Sequence, residues 1–294
     1  MATPRYLSAF NSRNYRLYFT GQAISLMGTW MTQTASLWLI YHLTHRAFLL
    51  GLVGFVSQVP MFVLAPFAGV WIDRVNRHRL LVVTQTLSML QSFALAAFVF
   101  SNKMDAAILL SLSLVQGIVN AFDMPTRQAL VIEFIEKKEH LGNAIALNSS
   151  MFNLARLVGP AVAGYVIEWS GAGGCYLADG ISYLAVIISL LMMRLREQPH
   201  RAEHQHPWPA LKEGFRFAFG FAPVRALIIV VGLVSFMGFG YTVLTPVFAR
   251  DVFHGDARTL GHLMAASGVG ALLGAMYLGT RTTVRGLGNV ITLG

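Results

Sequence analysis

One acid stands among four bases in "GVWIDRVNRHR", residues 69–79, between two long apolar runs. Asp73 in that setting can pair with Arg74 or Arg77, or accept from the free amides at a neighbouring helix start, where the partial positive charge attracts anions. Contacts of this kind form in one conformation and break in another, which is the chemistry of a latch. The three arginines alone would need nothing more than a solvated loop. Asp73 at its spacing is the specific feature, with Gly69, Arg74 and Arg77 around it.

Other ionisable residues stand inside or beside apolar runs. Asp123 and Arg127 are four apart, a spacing that allows either an ion pair on a helix surface or a second part of an inner gate. Arg156 and Asp179 lie within apolar spans, where a charge costs about 2.5–3.5 kcal/mol at mid-membrane and so needs water, a partner or a route to the interface. Arg156 is the candidate cavity residue, with snorkelling to the nearby interface as its competitor. Asp179, about one turn into its helix, is expected at the interface. Gln33, Gln58 and Gln116 are uncharged hydrogen-bonding groups for a cavity wall, and Trp30, Trp38 and Phe62 are aromatic residues for either a pocket or ordinary packing.

No catalytic constellation emerges. There is no phosphate-binding Gly-Lys-Ser/Thr loop and no His/Asp/Ser signature. The single cysteine, Cys175, forms no internal disulfide and no Cys-based metal site. His200, His204 and His206 cluster in "EQPHRAEHQHPWP", which reads as a solvated linker rather than a metal site. Neither a metal nor a cofactor is expected, and the chain does not read as an enzyme.

The elements that position these residues are set by composition. Hydrophobic residues make up 55% of the chain and charged residues 12%, against about 25% charged in a typical soluble domain. Spans of about 20 mostly apolar residues mark transmembrane helices; eight are expected, at about 17–41, 49–71, 80–101, 106–124, 143–168, 175–193, 224–248 and 259–280. The short connections at 42–48, 102–105 and 169–174 make successive helices antiparallel neighbours.

With the N-terminus in the cytoplasm, 17 Lys and Arg fall on the inner side and only Arg46, Lys103, Arg250 and Arg258 on the outer, so charge bias sets the orientation. The same bias accounts for the net charge of +9 without a nucleic-acid partner. The N-terminal stretch has no short apolar core followed by a cleavage site, so the first apolar run reads as a retained helix.

Three parts follow: a six-helix half at 1–193, a cytoplasmic linker with a Phe-rich interfacial helix at 194–223, and the start of a second half at 224–294. An internal repeat links the halves. Arg16, Gly51 and Gly69 are spaced like Arg225, Gly261 and Gly279, and "LLGLVGF" at 49–55 answers "TLGHLMA" at 259–265. A full duplication would have twelve helices, of which about eight are present, so truncation after the eighth is the expectation, with a natural eight-helix protein as the alternative.

The loop over 69–79 resembles the signature of the major facilitator superfamily: Gly, three residues, Asp, a basic residue, one residue, Gly, then two basic residues. Asn76 stands where the second Gly belongs, a mild change on the expectation that Asn tolerates a left-handed turn. Within that superfamily, "NAFDMPTRQALV" and "NAIALNSSMFNLARLVGP" look most like the bacterial exporter branch that includes the enterobactin exporters. Gly159, Pro160 and Gly164 resemble the family's antiporter motif; Pro160 removes a backbone donor and bends the helix, while the glycines allow close packing. Gln116 and Gly117 match a proton-coupling motif, but Ser113 occupies the place of its Arg.

The resemblance implies an all-α, polytopic bundle in the bacterial inner membrane. It implies export of a small amphipathic molecule, drug-like or siderophore-like, in exchange for protons, with the lipid bilayer as its other partner. At the matching position of the second half Thr283 stands where Asp73 would be, which makes the latch asymmetric. The rival readings are a non-transporting membrane receptor or partner, a decayed transporter fragment, and, more weakly, a permease that borrows a separate ATPase.

Overall fold

A computed structural model describes residues 5–72, 74–135, 138–193, 207–238 and 240–280. Asp73, the His-bearing linker over 194–206 and the tail with Thr283 lie outside the described residues. The described elements are helices and turns: α1 (Arg13–Thr44), α2 (Ala47–Ile72), α3 (Arg77–Phe100), α4 (Ala106–Glu133), α5 (Leu141–Leu191), α6 (Pro207–Gly220), α7 (Ala222–Gly238), α8 (Gly240–Val247) and α9 (Ala257–Thr280). A π turn, Phe248–Val252, extends α8.

Seven of the eight expected spans each fall on a single helix, and the span at 224–248 runs over α7 and α8. Two of them, 143–168 and 175–193, share α5, which breaks at Gly171 (φ 70°, ψ −178°), a backbone position open mainly to glycine. The two arms of α5 therefore run antiparallel.

Local chemistry sets the short turns. His45 ends α1 in the left-handed region (φ 50°) and returns its N–H to the Tyr41 carbonyl at 2.8 Å. Asp105 caps α4 by accepting from the Ile108 amide at 2.7 Å. Asn76 departs from the expectation of a left-handed turn. Its backbone is extended (φ −67°, ψ 106°), and its side chain accepts from the Arg79 amide at 3.0 Å, so it caps α3. Glycine at this position would offer the Arg79 amide no side-chain acceptor.

The end of the bundle where α1 begins is termed proximal, and the end it reaches at Thr44 distal. A distal core gathers Ile40, Leu50, Leu95, Leu109 and Tyr176 with Ala249 of the π turn and Leu260 and Met264 of α9. A proximal core holds Tyr15, Leu81, Leu130, Phe134 and Leu190.

The polarity is inverted relative to a soluble domain. Phe48, Phe62 and Trp169 are 77–85% exposed, whereas Gln22, Thr84, Gln85, Ser88, Ser92, Asp123 and Asp179 are buried. Lipid in place of water outside explains both. Ala47–Ala65, Arg77–Phe100, Ala106–Glu133, Leu141–Leu191 and Ala222–Val252 are long and apolar enough to cross a membrane. The break at Gly171 divides the fourth run in two. α1 is more polar than these runs and buries Gln22, Ser25, Thr34 and Ser36 inside the bundle.

Candidate functional site

At the proximal end, Gly69 is exposed, and a side chain there would meet nothing. Arg74 is exposed, whereas Arg77 donates to Glu133 at the end of α4 at 2.8 Å. His78 Nε2 lies 2.8 Å from the Leu190 carbonyl, tying the start of α3 to the end of α5. Glu133 gave no sign in the sequence, because nothing in linear spacing brings the end of α4 to the start of α3.

Asp123 and Arg127 are paired, and the pair is internal: Asp123 is only 2% exposed. Its Oδ2 takes the Arg127 guanidinium, and its Oδ1 accepts from Thr84 at 2.8 Å and Gln85 at 2.6 Å on α3. A surface pair is thereby excluded. The i, i+4 spacing supplies the contact, and the turn of α4 that carries it faces α3.

Gly159, Pro160 and Gly164 lie where α5 meets two other helices. A Cβ on Gly159 would stand 2.5 Å from Trp30 Cβ on α1, and one on Gly164 2.8 Å from the Ala257 carbonyl at the start of α9. Gly261 of α9 approaches the Pro160 carbonyl in turn, with 2.5 Å left for a Cβ. The three small residues let α1 and α9 both reach one helix. Within α5 the non-helical dihedrals fall at Gly171, and the run stays helical through Pro160.

Beside this junction is a narrow cleft, lined by Trp30 of α1 and Arg156 of α5 and, across from them, by Tyr241, Thr242, Thr245, Leu263, Met264 and Ser267 of α8 and α9. The Arg156 guanidinium lies 5.9 Å from the Trp30 ring centroid, within cation–π range. Trp30 also packs edge-on against Phe152, at 5.6 Å between centroids. Tyr241 and Ser267 share a 2.7 Å hydrogen bond. Thr242 Oγ1 is buried with no partner. The glutamines lie elsewhere. Gln33 and Gln58 are exposed, and Gln116 donates to Ser88 at 3.1 Å and to Asn120 at 3.0 Å between α3 and α4.

The distal side of the cleft is closed by polar contacts that α1 and α5 make with the π turn and α9. Tyr41 donates to Asp251, Arg258 pairs with Glu168, and Arg250 donates to His42 Nδ1 at 2.9 Å. Tyr165 Oη lies 3.3 Å from His262 Nε2, with the Arg258 guanidinium 5.2 Å from the Tyr165 ring. Asp256 begins α9, accepting from the Thr259 amide at 3.0 Å, and that hydrogen bond holds its carboxyl below the usual range.

Asp179 corrects another expectation. It is 1% exposed and lies between α1, α3 and the second arm of α5, not at an interface. That arm starts at Ala172 rather than near 175, so Asp179 sits about 10 Å along it, at 1.5 Å per residue. A signal was present in the sequence. Leu177, Ile181, Leu184 and Ile188, all exposed, form an apolar stripe at helical spacing, which turns Asp179 toward the bundle.

The family model for transmembrane secretion effectors matches residues 5–287 of the chain. The staphyloferrin A transporter of Staphylococcus aureus is 27% identical over 90% of this chain and 66% of its own length. The multidrug efflux pump Tap of Mycolicibacterium fortuitum is 26% identical over 91% of this chain and 68% of its own. The enterobactin exporter EntS of Shigella boydii is 24% identical over 90% of this chain and 63% of its own. The chain thus spans about two thirds of the length of the curated relatives it matches.

Proposed function

The chain belongs to the transmembrane secretion effector family of the major facilitator superfamily, and on that premise we propose that it exports a small amphipathic molecule across the bacterial inner membrane in exchange for protons. The observation that carries this reading is the Arg156–Trp30 cleft, built from both halves and closed on its distal side by a row of polar contacts. A cation over an indole face, with hydroxyls opposite, suits a cargo that has both an apolar body and polar groups.

The excess of Lys and Arg at the proximal end supports a cytoplasmic position for that end. Cargo then enters the cleft from inside. Release outward requires Tyr41–Asp251, Arg250–His42 and Arg258–Glu168 to separate while the loop at Gly69, Asp73, Arg74 and Arg77 closes the inner side. Gly69 has no close neighbour in this conformation, in keeping with a contact made only in the other one. The buried Asp123–Arg127 pair supports the gate from within the first half, fixing α4 to α3. Gly159, Pro160 and Gly164 form the surface on which α5 meets α1 and α9 as the halves rock.

Inside-out membrane vesicles test this. A pH gradient, acid within, should drive uptake of an amphipathic dye, a protonophore should abolish it, and Arg156→Ala should weaken it. Uptake indifferent to the protonophore overturns antiport, and absence of flux under any gradient favours the non-transporting reading.

A further inference from the structure

Among the described residues two carboxylates, Asp123 and Asp179, are buried, and of these Asp123 alone is paired with a cation. From α1, Asp179 meets Gly28 and Thr32; from α3, Ser92; on its own helix the titratable neighbours are Cys175 and Tyr183. Thr32 and Ser92 both donate to Oδ2, at 2.9 and 2.8 Å. Oδ1 is buried and accepts no hydrogen bond; the nearby Ser182 hydroxyl donates to the Asp179 carbonyl at 2.7 Å. No Lys, Arg or His faces it among the described residues. A lone charge at membrane depth is costly, so an ionisable group kept there without a counter-ion points to proton or ion handling.

We propose that Asp179 is the proton-binding residue of the exporter, held by Thr32 and Ser92 and taking the proton on its vacant Oδ1. The proposal rests on the antiport reading above. The step is a proton transfer alone. An O–H bond forms at Oδ1 with a proton from the distal side, the carboxylate becomes neutral, and the same bond later breaks to return the proton to water at the proximal side. No electrons move.

The placement links this proton to the cargo. A Cβ on Gly28 would lie 2.6 Å from Asp179 Oδ1, so α1 is pressed directly against the carboxylate. Two residues on, Trp30 faces the cleft and Arg156. Neutral Asp179 tolerates this dry contact, whereas the charged form draws in water and separates α1 from α5. A shift of α1 moves Trp30 as well, so one helix reads both sites. Toward the proximal end, Tyr183 lies within electrostatic reach of both Asp179 and Asp123.

Infrared titration of the detergent-solubilised chain tests the proposal without needing transport. A protonated-carboxyl band that titrates with pH should be present and should be lost in Asp179→Asn. Thr32→Val keeps the carboxyl and should displace the midpoint, which preserves the test if the Asn variant folds poorly. An unchanged band in Asp179→Asn overturns the proposal, as does an unmoved midpoint in Thr32→Val. Vesicle uptake separates this failure from failure of the antiport reading. Gradient-driven uptake retained in Asp179→Asn sinks Asp179 alone, whereas a wild-type chain that has the band but no gradient-driven uptake sinks antiport alone.

Discussion

Asp123 on α4 and Asp179 on α5 are the same residue type at nearly equal burial, 2% and 1% exposed, yet their surroundings differ in kind. Asp123 has a guanidinium on one oxygen and two donors on the other. Asp179 has two hydroxyls on one oxygen and no hydrogen bond on the other. A carboxylate with a fixed cation joins helices, and its charge is not free to change. One without a cation has a vacant position that a proton fills. Burial alone therefore does not identify a transport residue; the partners do.

The strongest way to break this comparison is to remove the cation. Arg127→Met leaves Asp123 with Thr84 and Gln85 but no opposite charge, and breaking a buried pair costs about 3–5 kcal/mol. Thermal unfolding in detergent should show that loss, while Asp179→Asn, whose amide still accepts from Thr32 and Ser92, should unfold close to the wild type. Equal destabilisation by the two variants would erase the distinction. Next in size is Gly28→Ala, which places a methyl group against Asp179 and Ser182 and should cost about 1–3 kcal/mol by overpacking. Normal stability there would mean that α1 is not held against the carboxylate.

Smaller effects calibrate the exposed charges against the buried ones. Asp256→Ala should cost about 1 kcal/mol through loss of the α9 cap. Its folded carboxyl is held low, so the cap's contribution is full above the ordinary carboxylate range and disappears as pH falls through the folded value. Wild type and variant should therefore converge in acid; a constant difference down to low pH would show that the cap does not depend on charge. Arg77→Ala, at a half-exposed pair, should cost less than about 1 kcal/mol.

The helices were legible because lipid imposes a length and an apolar composition on each span, and all eight spans fall on helices. The break at Gly171 was legible as well: it falls inside the connection expected at 169–174, between the spans at 143–168 and 175–193. Arg156 was legible as a charge in an apolar run, and it lines the cleft. Gln33 and Gln58 are exposed, because a polar residue on a span does not declare which side of the helix it faces. Asp179 was misplaced by counting turns from a helix start, although the lipid-facing stripe on the same helix identified its face. The row from Tyr41 to Asp251 and from Glu168 to Arg258 joins residues far apart in the chain, a pairing that no local pattern encodes.

The most direct test is to compare two modes of dye movement in proteoliposomes containing Asp179→Asn. Exchange of dye for dye at equal pH needs the cleft and the rocking halves but no net proton movement, whereas accumulation driven by a pH gradient needs both. The account predicts that the variant retains exchange and loses gradient-driven accumulation. Accumulation at the wild-type rate would contradict it.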